Sequence, residues 1–173
     1  LIEKKSPFSN PEIKVGIIKL PSISNFSDFD PLENEKAILI EWIRESQNLK
    51  KFDFIILPGS KQTIRDQLFL EKSGLSNDIR NYSNNKGNIF GICGGLQMLG
   101  TILEDPFSKE GTGINSEKSI KGIGLLPLKT IFLENKITRQ INSDSIWPDF
   151  AKISGFEIHN GKTQLDKSQN ISK

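Results

Sequence analysis

The run Gly91-Ile92-Cys93-Gly94-Gly95 is where residue types and spacing in this sequence could do covalent chemistry. Residues 88–92 read as a strand, and residues 96–103 read as a helix with one apolar face. A nucleophile on a strand-to-helix turn is pushed out at the carboxyl edge of a sheet, where ligands bind in open α/β folds. Flanking glycines permit a strained backbone and let a substrate approach closely. The positive end of a helix favours thiolate over thiol, and the thiolate is the reactive form. The backbone N–H of Gly94 is then placed to stabilise an oxyanion. A second donor is available from Gly59, in Pro58-Gly59-Ser60 at the end of an earlier strand. Taken singly, a cysteine is otherwise a small buried hydrophobe, and Gly59 is otherwise turn punctuation. The two turns together describe an acyl-transfer site. Gly122-Ile123-Gly124 reads as a turn into a strand and not as a phosphate loop.

A thiol nucleophile needs a base, and the sequence holds one histidine, His159. Parsimony pairs it with Cys93. A hydrogen-bonded histidine at a strand end, with no part in catalysis, is the equal alternative. Glu157 alternates with His159, which puts both side chains on one side of a strand.

The elements that must position these groups alternate in type. Residues 14–20 and 52–57 are short apolar runs, partly β-branched, and read as buried strands. Residues 37–43 suit either a helix or a strand, and strand is the reading adopted. Residues 22–31 read as a polar loop. Helices are predicted over 63–70 and 75–84, with a turn at Ser73-Gly74. Strands alternating with helices predict an α/β fold with a mostly parallel sheet covered on both sides. Beyond Gly122 the pattern turns β-rich, over 124–133 and 153–159, and residues 162–173 are polar with no strand signal.

At 173 residues the chain fits one domain of ordinary composition, 35% hydrophobic and 25% charged. A net charge of +2 gives no reason to expect nucleic acid or a charged membrane surface as partner. One cysteine excludes an internal disulfide, and a reducing cytoplasm is the expected compartment. No apolar run reaches the roughly 20 residues of a membrane span. Residues 1–12 read as a linker or a remnant of a preceding domain, 13–163 as the functional domain, and 164–173 as a polar tail. The start at Leu1 and the polar end are expected to mark a piece of a longer chain.

Four segments carry a family resemblance. They are Leu20-Pro21-Ser22-Ile23-Ser24-Asn25-Phe26-Ser27-Asp28-Phe29-Asp30-Pro31-Leu32, Ile56-Leu57-Pro58-Gly59-Ser60-Lys61-Gln62-Thr63, the elbow Gly91-Ile92-Cys93-Gly94-Gly95-Leu96-Gln97-Met98-Leu99-Gly100, and Gly155-Phe156-Glu157-Ile158-His159-Asn160-Gly161-Lys162-Thr163. In this order they resemble the class I glutamine amidotransferase domain of the cobyric/cobyrinic acid a,c-diamide synthase family. The first segment favours the cobyric acid branch. The resemblance implies a flavodoxin-like fold with a β-rich C-terminal part, and an enzyme that takes ammonia from L-glutamine. It implies Cys93 as nucleophile and Gly59 and Gly94 as oxyanion-hole amides. His159, Glu157, Ser60 and Gln97 would be site-lining residues, because the family's catalytic histidine lies in a later Gly-Thr-Tyr-x-His segment that this sequence lacks. The domain is therefore expected to be incomplete at its C-terminus. No metal or cofactor is implied for it. ATP and Mg2+ are implied for an N-terminal synthetase domain that binds the corrinoid and is the expected partner. Nothing here matches Gly-x-x-x-x-Gly-Lys-Ser/Thr. The alternatives are a glutaminase subunit of the same superfamily acting on a lipid intermediate, and an inactive truncated remnant.

Overall fold

Ile13–Ile18 forms strand β1, and in the computed structural model it runs through the middle of a four-stranded sheet. The structure describes residues 12–110, 118–146 and 150–168. Most of the expected N-terminal linker, and the end of the expected polar tail, lie outside those residues. Val15, Ile17 and Ile18 are buried, as expected of an apolar strand flanked on both sides. Ile38–Ile43 is β2, Phe54–Leu57 is β3 and Asn88–Gly91 is β4. The order is β2-β1-β3-β4, and every pairing is parallel. The chain steps from β1 to one side for β2, then crosses to the other side for β3. That reversal makes the carboxyl ends of β1 and β3 the topological switch point, the usual ligand position in an open α/β sheet.

The β3–β4 crossover is made of two helices, α2 (Thr63–Ser73) and α3 (Leu75–Asn84). They are preceded in the chain by α1 (Asp30–Glu33), which follows a short 3-10 turn at Ser27–Phe29. The segment read as a loop over 22–31 therefore ends in helical turns, with Pro31 in the first turn of α1, where its missing N–H is harmless. Gly74 adopts φ +85° at the end of α2, a left-handed cap that lets α3 start at once. Ile64 and Leu70 from α2 and Leu75 and Ile79 from α3 join Ile17, Ile43, Ile55 and Leu57 in one core.

The expected helix over 96–103 is much shorter. Helix α4 is Gly94–Met98, and Ile102–Glu104 is instead strand β5. Gly100 and Thr101 make the change. A Cβ on Gly100 would stand 2.5 Å from the Leu128 carbonyl oxygen. The Thr101 amide donates to that same oxygen at 2.7 Å, and its hydroxyl does so at 2.9 Å. The β-branched pair Thr101-Ile102 is thus drawn into a second sheet, of order β6-β5-β7-β8, where β6 is Ser119–Lys121, β7 Leu128–Asp144 and β8 Lys152–Leu165. Only β5 and β7 pair in parallel there. Residues 162–165 complete β8, despite carrying no strand signal. Their partners on β7 supply the ladder, and the Thr130 and Thr163 hydroxyls meet at 2.9 Å. A register shift between Phe132 and Ile137 divides the β7–β8 ribbon into an inner and an outer part.

Candidate active site

Cys93 follows β4 after one residue, Ile92, and opens α4 with φ 49° and ψ −109°. A residue with a Cβ rarely adopts a positive φ, and such strain is characteristic of groups held at functional turns. Local contacts enforce the turn. The Ile92 amide donates to the Leu57 carbonyl at 3.0 Å, and the Gly95 amide returns to the Ile92 carbonyl at 2.8 Å. A Cβ on Gly95 would lie 2.0 Å from the Leu57 carbonyl oxygen and 2.7 Å from that of Pro58. Only glycine lets α4 start against the end of β3. Cys93 itself is exposed, as a nucleophile must be.

Gly59, just beyond β3, lies beside it. A Cβ on Gly59 would meet the Ser24 hydroxyl oxygen at 2.5 Å and the Cβ of Cys93 at 3.8 Å. A Cβ on Gly94 would stand 3.0 Å from the Ser60 nitrogen and 3.1 Å from the Thr63 hydroxyl. Both glycines are buried, yet among the described residues neither of their amides has a hydrogen-bond acceptor. A buried N–H without a partner is costly. Two such donors beside one exposed thiol are what an oxyanion would require.

The segment following β1 closes the other side of this edge. Ile23 and Ser60 form an isolated antiparallel bridge, with the Ser24 amide donating to Gly59 O and the Lys61 amide to Ser22 O, each at 2.8 Å. Behind the bridge lies Asp66, which has no exposed surface. Burial raises its carboxyl above the ordinary range, while hydrogen bonds from Ser60 and Ser22 oppose that shift. Glu110 is a second buried carboxylate. It accepts from the Thr63 amide at the start of α2 and is itself oriented by the loop in which Asp105 accepts from its amide at 2.9 Å. Burial raises Glu110 too, against the opposing pull of Thr63. Neither carboxylate announced itself in the sequence. Each is a charged residue in a polar stretch, and only the packing of distant segments buries it.

Gln97 is 9% exposed and packs from α4 onto β8, its Nε2 falling 2.5 Å from where a Gly161 Cβ would be. Two residues earlier on β8, His159 is engaged at both ring nitrogens, Nε2 with Glu157 Oε1 at 2.6 Å and Nδ1 with the Gly161 carbonyl at 2.7 Å. Both contacts are to groups other than Cys93, so the ring is oriented by its own strand and not by the thiol. The His159 ring, and next the Arg139 guanidinium, hold the Glu157 carboxyl below its ordinary range. Among the described residues no hydrogen bond joins His159 to Cys93. The structure thus gathers Gly59, Ser60 and Gly94 around Cys93, reaches β8 through Gln97, and leaves His159 and Glu157 as a pair of their own. Among the described residues no group of His, Cys, Asp and Glu converges as metal ligands would, and no helix is long and apolar enough to cross a membrane.

Residues 14–172 match the profile of the CobB/CobQ-like glutamine amidotransferase domain. Similar proteins include a cobyric acid synthase of Prochlorococcus marinus strain MIT 9312, 76% identical over the whole of this chain and 34% of the relative. A cobyric acid synthase of strain NATL2A is 50% identical over 95% of this chain and 33% of its own length. The chain spans about a third of the length of these relatives. Among solved structures, PurLQS of Thermotoga maritima superposes with TM-score 0.60 at 15% identity, over 87% of this chain and 68% of that one. A glutamine amidotransferase of the same organism superposes with TM-score 0.55 at 16% identity, over 90% and 64%. At these identities the likeness is one of fold, and it is the expected amidotransferase fold.

Proposed function

Because the chain belongs to the CobB/CobQ-like glutamine amidotransferase domain family, we propose that it is the glutaminase part of a cobyric acid synthase, with Cys93 as nucleophile. The Cys93 sulfur attacks the side-chain carbonyl of glutamine. The oxyanion that forms is held by the N–H groups of Gly59 and Gly94. Collapse breaks the carbon–nitrogen bond, the thiol proton leaves with the nitrogen as ammonia, and a glutamyl thioester remains on Cys93. Water then releases glutamate and restores the thiol.

In this reading the ammonia passes to an ATP- and Mg2+-dependent synthetase domain of the same protein, which amidates peripheral carboxylates of adenosylcobyrinic acid a,c-diamide during cobalamin formation. The cobyric acid synthases that the whole chain resembles support that assignment. The observation that carries the glutaminase step is local: an exposed thiol at φ 49° beside two buried amides that have no acceptor among the described residues.

Intact mass after incubation with a diazo-ketone mimic of glutamine tests the step. One adduct at Cys93, blocked by excess glutamine, is expected, and Cys93→Ser should lose glutamine-driven turnover in the full-length protein while keeping ammonia-driven amidation. Unchanged glutamine turnover in that variant would sink the assignment.

A further inference from the structure

Asp66 lies in the first turn of α2, fully buried, and both of its carboxylate oxygens are used. Oδ2 accepts from the Ser60 hydroxyl at 2.6 Å, and Oδ1 accepts from the Ser22 amide at 3.2 Å. The Ser60 oxygen also accepts from the Gln62 amide at 2.9 Å, so its hydroxyl has one orientation left. These contacts fall on the two segments that build the floor of the site, which the bridge between Ile23 and Ser60 ties together. Ser60 is the residue after Gly59, and its nitrogen and Cβ lie 3.0 and 3.2 Å from the position of a Gly94 Cβ. A shift of Ser60 therefore changes the spacing of the Gly59 and Gly94 amides.

Resting on the glutaminase reading of Cys93, we infer that Asp66 is a positioning residue for the oxyanion hole: through the Ser60 hydroxyl and the Ser22 amide it fixes where the Gly59 N–H points relative to that of Gly94. A helix start favours an acid on electrostatic grounds alone, but that field does not fix where the hydrogen bonds of the carboxylate point. A fully desolvated carboxylate is an expensive way to hold a turn that an apolar side chain could fill. The expense makes sense where direction matters, since hydrogen bonds orient and apolar contacts do not. Displacing a donor by about 1 Å is worth roughly 10²-fold in rate.

The test is steady-state kinetics of the full-length synthase carrying Asp66→Ala, Asp66→Asn or Ser60→Ala, with glutamine and with ammonia as nitrogen source. Asp66→Ala should lower kcat on glutamine about 10²-fold and change KM for glutamine less than about threefold, because an oxyanion hole acts on the transition state. Ammonia-driven turnover should stay at the wild-type level. Asp66→Asn keeps an acceptor for the Ser22 amide and should recover about tenfold of the lost kcat. Ser60→Ala leaves Asp66 in place and should still lower kcat, about tenfold. Wild-type kcat on glutamine in either Asp66→Ala or Ser60→Ala would overturn the inference, as would a loss confined to KM. Glutamine turnover by the wild type that survives Cys93→Ala would instead overturn the glutaminase reading beneath it.

Discussion

A Cβ on Gly59 would stand 3.8 Å from the Cβ of Cys93, so the end of β3 and the end of β4 share one small space. The nearer obstacle to such a Cβ is the hydroxyl of Ser24 at 2.5 Å, the tip of an exposed side chain that can turn away. Gly59→Ala should therefore fold and melt close to the wild type. Its methyl group and the displaced Ser24 would crowd the thiol, and kcat/KM for glutamine should fall about 10²-fold. Glutaminase assays paired with thermal melting decide this, and an unchanged kcat/KM would take Gly59 out of the site.

The backbone at Cys93 allows a second test that needs no substrate. At φ 49° a side chain is strained by about 1–3 kcal/mol, whereas glycine adopts such a conformation freely and loses about 0.5–1 kcal/mol in chain entropy. Cys93→Gly should be more stable than Cys93→Ala by about 1 kcal/mol. Urea unfolding of the two variants measures the difference. An alanine variant that is the more stable of the two would mean an unstrained elbow.

His159 is held at both ring nitrogens, by Glu157 and by the Gly161 carbonyl. A general base contributes about 10²–10⁴-fold. His159→Ala should slow alkylation of Cys93 by the glutamine mimic less than about tenfold. A slowing of the larger size would restore the pairing of the lone histidine with the lone cysteine.

Glu110 predicts a pH effect on stability. Burial raises its carboxyl in the folded chain, so the folded state keeps that proton at pH values where the unfolded state has lost it. The contribution of Glu110 to stability then falls as pH rises from the ordinary carboxylate value through the raised one. Glu110→Gln keeps an acceptor for the Thr63 amide and removes the titration. Its urea midpoint should fall less steeply than that of the wild type across this window, with the two curves meeting at the acid end. Parallel curves would refute the assignment to Glu110, since the raised carboxyl of Asp66 acts with the same sign in both proteins.

Residue patterns made the sheet legible because apolar, β-branched runs such as residues 13–18 bury the same way in any parallel sheet. Gly91-Ile92-Cys93-Gly94-Gly95 was legible for a different reason: each glycine answers a local geometric need. The short α4 was not, because residues 96–103 keep a helical pattern while Gly100 and Thr101 are captured by Leu128, which lies far along the chain. Residues 162–165 were missed for the same kind of reason, since they pair with β7 without being buried. Asp66 and Glu110 depend wholly on tertiary closure. Their neighbours in sequence give no hint that Ser22 or Thr63 will meet them.

The wedge of Gly95 beneath the end of β3 has a consequence for how this protein can drift over generations. The atoms that forbid a methyl group there are the carbonyl oxygens of Leu57 and Pro58. Every amino acid carries a carbonyl, so no second-site suppressor can clear the space. The clash at Gly59 comes from the side chain of Ser24, and a mutation at Ser24 could relieve it. Lineages can therefore explore one side of this turn by paired changes, while the other side is closed to them for as long as the fold persists.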